Sequence, residues 1–555
     1  MRVLMKNLKR AVSACAAVLL LAAAGGCASD KPFDATVTVD ASKFGGEPIH
    51  NIVSNINSWS GGEFVGAVNN ERYDCFKFVE YIQLMQCSGG EYSRDLFENP
   101  EDASVLDDYK FDSLIEKCRG VLALGAKPHL KLGGVPMKYS SGAELGGFSM
   151  NIYPPDDYDV YYNYIKALAL ALKEAFPDED FNTWRFGCMT EYENADWFMA
   201  KSGDPAESAV EYCKLYDYTV KALTDVLGDE ICVGAHSMTV TEGLWDEELF
   251  IKHVAEEKNY ATGKIGTRCC FLNASFYDSN PVTPTGGKTL AETAAYLQDA
   301  AAKYRLDIFC GIDEGRILSG VNSGKNSSDL LTRMSGYTMQ GAYDARLIVT
   351  CIRNNIDYFS SWGYLSGGAI NGFPSVSYHV AGNFSKFKGS KLTDISVTAN
   401  KHDKKAEFDC ISAFDESTNT LRIMAYNFKF DLDYAADANV HFDVNVPALD
   451  GKNVKITKYA VDDNCNFFDE WQADRKAANI GDECFSWSPD DFQVDSTVVL
   501  EDEQAREFWN AHRDGYEQNA QLTPVTENGK VENGSLSFDC TIPANSVVFY
   551  EIAAN

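Results

Sequence analysis

Between about residues 51 and 362, strand-length apolar runs alternate with amphipathic helical segments, and this alternation limits the possible folds more than any other feature. The runs are Asn51 to Asn57, Phe78 to Cys87, Lys127 to Leu132, Trp184 to Glu191, Ile231 to His236, Cys270 to Tyr277, Leu306 to Glu314 and Ile356 to Trp362. Helical spacing of apolar residues falls near 112–123, 156–176, 206–227, 291–304 and 328–350. Strands separated by helices pair in parallel. Eight such strands, each ending in polar or glycine residues, predict a closed (β/α)8 TIM barrel.

Beyond about residue 385 the helical period gives way to short alternating runs at 406–414, 421–427, 440–446, 454–460, 537–542 and 547–552, divided by turn residues. This pattern predicts a C-terminal antiparallel β-sandwich over 385–555. The barrel is expected over 27–384, with an early strand near residue 37 that joins the sandwich. At 555 residues the chain is too long for one ordinary core, which agrees with two domains.

Residues 1–26 read as an export signal. Arg2, Lys6, Lys9 and Arg10 precede an apolar run over 11–24 that is short for a membrane span, and Ala24-Gly25-Gly26-Cys27 follows. Small residues before a cysteine resemble a bacterial lipobox, although Ala24 stands where leucine is usual. Cys27 is therefore the expected lipidation site, and the protein is expected to be anchored on the outer face of a bacterial membrane. A formal charge of −32 disfavours nucleic acid and anionic lipid headgroups as partners. Cys188, Cys232, Cys269 and Cys310 sit in apolar runs and are expected to be free thiols. No cysteine or histidine spacing suggests a zinc site, so neither a metal nor a cofactor is expected.

Two of the predicted strands run into glutamates, Glu191 and Glu314. In a parallel barrel both would lie at the C-terminal rim, and paired carboxylates across a pocket are the equipment for breaking a glycosidic bond. Alternation allows one set of residues per strand to face inward. Glu314 shares its set with Ile308, Cys310 and Ile312, whereas Asp313 shares its own with Phe309 and Gly311. Glu314 is preferred because Gly315-Arg316 is placed to support it, and Asp313 stays as the alternative. Glu191 shares its set with Arg185, Gly187 and Met189, and Glu193 is its competitor.

The chain resembles the retaining (β/α)8 glycosidase clan, and within it family 39 glycoside hydrolases, the β-xylosidase and α-L-iduronidase group. The resemblance rests on Lys127-Pro128 and Gly133-Gly134-Val135-Pro136, the strand ends at Glu191 and Glu314, Trp362, and the C-terminal sandwich. It implies an O-glycosyl hydrolase acting on carbohydrate, with Glu191 as acid/base and Glu314 as nucleophile. It also implies Trp362 as the sugar platform and Tyr277 as a hydrogen-bond donor to the nucleophile. Thr190 stands where the clan usually has an asparagine that bonds the sugar 2-hydroxyl, and Ser275 where it often has histidine. These departures keep open a second reading, a glycan-binding lipoprotein without catalysis. A solute-binding lipoprotein fits less well, because the C-terminal region reads as all-β. His236 and His129 either line the pocket or are tied into the core. Arg94 either pairs with Asp95 or braces the nucleophile. Trp197 and Trp245 are loop aromatics, read as packed more readily than as sugar platforms.

Overall fold

The computed structural model describes residues 31–59, 61, 78–239, 242–280, 283–284, 288–317, 337–361, 373–481 and 502–555. Two compact units emerge. One comprises 48–389 and 463–523; the other comprises the N-terminal segment to 47, 390–462 and 524–555.

The first unit is the barrel. After an N-terminal strand β1 (Phe33–Gly45), its strands are β2 (Asn55–Ser58), β3 (Tyr81–Leu84), β4 (Lys127–Leu132), β5 (Arg185–Cys188), β6 (Cys232–Ser237), β7 (Phe271–Asn280), β8 (Phe309–Ile317) and β9 (Ser360–Ser361). Each pairs in parallel with the next from β2 to β8. A parallel bridge from Ile312 to Phe359 joins β8 to the start of β9, and β9 pairs with β2, which closes the ring. Strands covered by helices on one side and filled by side chains on the other are buried on both faces, as the burial of β4 illustrates.

The helices form where the sequence gives both an apolar stripe and a start signal. The helix Pro205–Leu227 begins with proline in its first turn, and the Asp204 carboxylate accepts from the Glu207 N–H. The helix Leu290–Lys303 opens on a reciprocal capping box between Thr289 and Glu292.

The second unit is a nine-stranded sheet. Its order is Val525–Lys530, Asn453–Val461, Ser546–Ala554, Thr420–Phe428, Glu407–Asp415, Lys391–Ala399, β1, Ala438–Asn445 and Ser535–Ile542. The sheet folds over on itself. Phe442 and Tyr550 lie on strands with four others between them, yet their rings are 5.6 Å apart. The fold line runs where Lys391–Ala399 meets Glu407–Asp415, which pair at two positions only. The result is a sandwich around Val37, Phe442, Ile423 and Ile552.

The sequence reading ran the sandwich without interruption to residue 555. Instead, residues 463–523 group with the barrel unit and carry two helices, Phe468–Ala477 and Glu503–Asn519. Among the described residues no helix is long and apolar enough to cross a membrane. Cys188, Cys232, Cys269 and Cys310 are unpaired thiols.

Candidate active site

At the C-terminal end of β5 the chain leaves the sheet through two left-handed residues, Met189 (φ 64°) and Glu191 (φ 43°). Such a backbone costs about 1–2 kcal/mol per non-glycine residue. It rotates Glu191 out of strand alternation. Arg185 and Gly187 do face the interior: the Arg185 guanidinium lies over the Tyr81 and Tyr358 rings, and a Cβ at Gly187 would meet Lys131. Trp184 and Phe186 point outward, and Trp184 packs on Phe176 and Phe181 beside the helices.

Glu191 is 8% exposed. Ser275 Oγ donates to its Oε1 at 2.7 Å, and Asn194 Nδ2 donates to its Oε2 at 2.9 Å. Burial and then the charge of Glu314 push its carboxyl up to about 7, against the hydrogen bonds from Ser275 and Asn194 and the nearby Trp197 indole. Glu314 is more open and accepts a 2.5 Å hydrogen bond from the Tyr277 hydroxyl. Along the ladder, Glu314 sits directly beside Ser275. The two glutamates therefore share one end of the barrel, one on a strand flanked by the residue that holds the other.

Glu314 reaches the pocket by a route that alternation did not foresee. Phe309 and Gly311 are the inward residues of β8. Phe309 meets Arg185 and Tyr358, and a Cβ at Gly311 would lie 2.5 Å from the Tyr358 ring. The set Ile308, Cys310 and Ile312 is thus not the interior one. A bulge between Ile312 and Glu314 leaves Asp313 as an extra residue opposite the β7 step Ala274–Ser275. Past the bulge the parity is reset, and Glu314 joins the inward side at the rim.

Asp313 is fully buried beneath it. Its carboxylate pairs with Lys131 Nζ at 2.5 Å and accepts from the Tyr358 hydroxyl. Its carbonyl accepts from Asn57 Nδ2 at 2.6 Å and from Gln83 Nε2 at 3.2 Å. Despite burial, the charge of Lys131 holds this carboxyl well below the usual range. Asp313, the alternative to Glu314, is committed to the interior. Glu193, the alternative to Glu191, is also committed: its Oε1 accepts from Ser237 Oγ at the end of β6 and from Met238 N just after it, both at 2.7 Å.

Other expected residues fall in different places. Among the described residues Arg94 pairs with neither Asp95 nor Glu314. It forms an ion pair with Glu91 at 3.3 Å and lies over Trp59, while Asp95 accepts from the Gly90 and Met137 N–H groups. Arg316 does not support Glu314 from the rim. It is buried in a bidentate pair with Asp344, both contacts at 2.8 Å. His236 is fully buried and bonds to Ser275 Oγ at 2.9 Å, so it acts behind the site rather than on a ligand. His129 is a core histidine against Phe271. Thr190 is buried, and its hydroxyl has no partner among the described residues. Trp245 packs against Tyr192 and Tyr212, whereas Trp197 lies near Glu191 and stacks on Phe148 at 4.6 Å. Trp362 and Cys27 lie outside the described residues.

Sequence reasoning did not find Asn194, or Ser275 as a ligand of Glu191. Asn194 follows Glu191 by three residues in a turn, a position from which an amide can fold back. Ser275 gave only the negative signal of a missing histidine.

A barrel of eight parallel strands with two glutamates at its C-terminal rim is the framework of the (β/α)8 glycoside hydrolases. No family model matches the chain. A β-xylosidase from Caldicellulosiruptor saccharolyticus is 23% identical over 483 residues, covering 81% of this chain and 84% of that protein. A monomeric β-xylosidase from Caulobacter crescentus CB15 superposes with a TM-score of 0.62 at 15% identity, covering 94% of this chain and 99% of that one. A bacterial orthologue of human α-L-iduronidase gives the same TM-score at 14% identity, covering 94% and 84%. In fold the chain is similar to these glycoside hydrolases.

Proposed function

We propose that the protein is an exported, lipid-anchored O-glycoside hydrolase that works by double displacement with retention. The observation that carries this reading is the unequal setting of its two rim glutamates. Glu314 is half-buried and held by Tyr277; Glu191 is buried and pushed up to about 7. Double displacement needs that difference. Glu314 attacks the anomeric carbon, and the proton on Glu191 passes to the departing oxygen. Forming the glycosyl ester removes the charge of Glu314, which lowers the proton affinity of Glu191. Glu191 then takes a proton from water as that water attacks the anomeric carbon, and the bond to Glu314 breaks to release it as a carboxylate.

The substrate class follows from the relatives, and a β-xyloside is the first to test. The export signal and Cys27 supply the proposed location.

Glu314→Gln is expected to reduce hydrolysis to background. Glu191→Gln is expected to cut turnover about 10²–10⁴-fold on substrates with poor leaving groups. It should spare glycosyl-ester formation from an activated aryl glycoside, and mass spectrometry should find the ester on Glu314. Full activity in both variants, or an inverted anomer in the first turnover by NMR, would refute the mechanism. Glycan binding without release of reducing sugar by the wild type would favour the non-catalytic reading.

A further inference from the structure

The acid/base reading of Glu191 leaves one buried group unexplained. His236, on β6, forms no ion pair among the described residues, yet its ring is hydrogen-bonded to the residue that holds Glu191. The distances are 2.9 Å from His236 Nε2 to Ser275 Oγ and 2.7 Å from Ser275 Oγ to Glu191 Oε1. His236 and Ser275 are both fully buried.

The direction of this chain follows from which hydrogens are available. Burial and then the nearby Lys131 charge keep His236 neutral, so its ring carries one N–H. Nδ1 is buried without a partner among the described residues. A proton there would orphan a buried donor, which is the costlier error. The proton therefore sits on Nε2 and is donated to Ser275 Oγ. With that lone pair filled, the serine's own proton is directed to Glu191.

We propose that His236 and Ser275 are positioning residues. Together they form a fixed donor chain that orients the Glu191 carboxyl and sets the pH range over which it delivers its proton. The proposal rests on Glu191 being the acid/base. It gives Ser275 a role: its hydroxyl stands between the carboxyl and an imidazole on the neighbouring strand.

The groups that bear on this titration come from several elements. Glu314 on β8 faces Glu191, and Asn194 and Trp197 lie on the loop after β5. Behind His236 stand Lys131 and His129 on β4 and Asp313 on β8. Ser275→Ala removes a hydrogen bond that favours ionised Glu191. Its proton affinity then rises, and the alkaline limb of kcat/KM moves up by about one pH unit. Ser275→Thr should restore the limb. His236→Leu frees the serine hydroxyl to rotate and should move the limb the same way, whereas His236→Gln, which keeps an N–H near the Nε2 position, should largely restore it.

The deciding measurement is a double-mutant cycle read as pH profiles, on aryl glycosides with good and poor leaving groups. His236→Leu is expected to change nothing further in a Ser275→Ala background, and losses should be larger for the poor leaving group. Independent, multiplying losses with an unmoved limb would overturn the relay. If His236→Leu does not fold, the limb shift in Ser275→Ala decides alone: no shift overturns the proposal. The reading beneath it is tested separately, since hydrolysis by the wild type and its loss in Glu314→Gln do not depend on either relay residue.

Discussion

Glu191 and Glu193 are two residues apart, and both hold their protons to unusually high pH, but for different ends. Burial, and then the charge of Glu247, push Glu193 up to about 8, and its Oε2 has no partner. An unfolded glutamate titrates near pH 4.3, so between about 4.3 and 8 the folded state binds a proton that the unfolded state has released. The stability this group contributes is whole below about pH 4.3 and drains away as pH rises to 8. Glu193→Gln mimics the protonated carboxyl at every pH. Its amide oxygen can accept from Ser237 and Met238 as Oε1 does. The variant is expected to match the wild type near pH 4 and to be more stable by a few kcal/mol at pH 8–9. Thermal melts at the two pH values check this, and equal melting points at pH 9 would show that burial does not raise the proton affinity of Glu193. The sequence offered both glutamates to the pocket because alternation continues through them on paper. It could not show the left-handed turns at Met189 and Glu191, which depend on what the chain must pass on leaving β5: a Cβ at Gly133 would lie 2.8 Å from Met189 N.

At the scale of the strand, β8 shows where a two-residue period fails. Glu314 lies at the rim only because of the bulge, and the set of neighbours from which alternation was argued faces outward. The clue in the sequence was Gly311, since glycine inside a strand marks a bulge or a close approach, and here it clears the Tyr358 ring. The bulge is fastened from below. The Asp313 carbonyl takes two side-chain amides from β2 and β3, and its carboxylate takes Lys131 from β4. Removing one member of such a buried pair strands the other's charge, at about 3–5 kcal/mol. Lys131→Met is therefore expected to destabilise the fold by that amount. Adding Asp313→Asn should recover most of the loss, because the remaining groups are neutral. Urea unfolding of the two single variants and the double variant tests this. A double variant no more stable than Lys131→Met would mean the bulge is not anchored through this pair.

At the scale of the whole molecule, the eight-fold alternation made the barrel legible, and the shift to short alternating runs made the sandwich legible. The helical insertion was missed because its apolar residues are sparse and aromatic. In Glu503–Asn519, Trp509 and Tyr516 keep a seven-residue spacing within an otherwise polar segment. They pack with Phe373, Phe467, Phe468 and Trp471 in one cluster, all of it in the barrel unit. The sandwich strands on either side, Asn453–Val461 and Val525–Lys530, are antiparallel partners with Lys458 opposite Val525. For the sandwich, residues 463–523 are thus an oversized hairpin loop, and loop length costs a hairpin little: each doubling is worth about 0.6 kcal/mol. For the barrel unit the same residues supply a buried aromatic cluster, in which losing a single tryptophan costs about 3–5 kcal/mol. Replacing 463–523 by a short glycine-rich turn should leave the sandwich's thermal transition near its original temperature and lower the barrel's by several degrees. Trp509→Ala should shift the barrel's transition in the same direction by less. Calorimetry resolves the two cases: if the excised chain melts with its barrel transition unchanged, the insertion does not support the barrel.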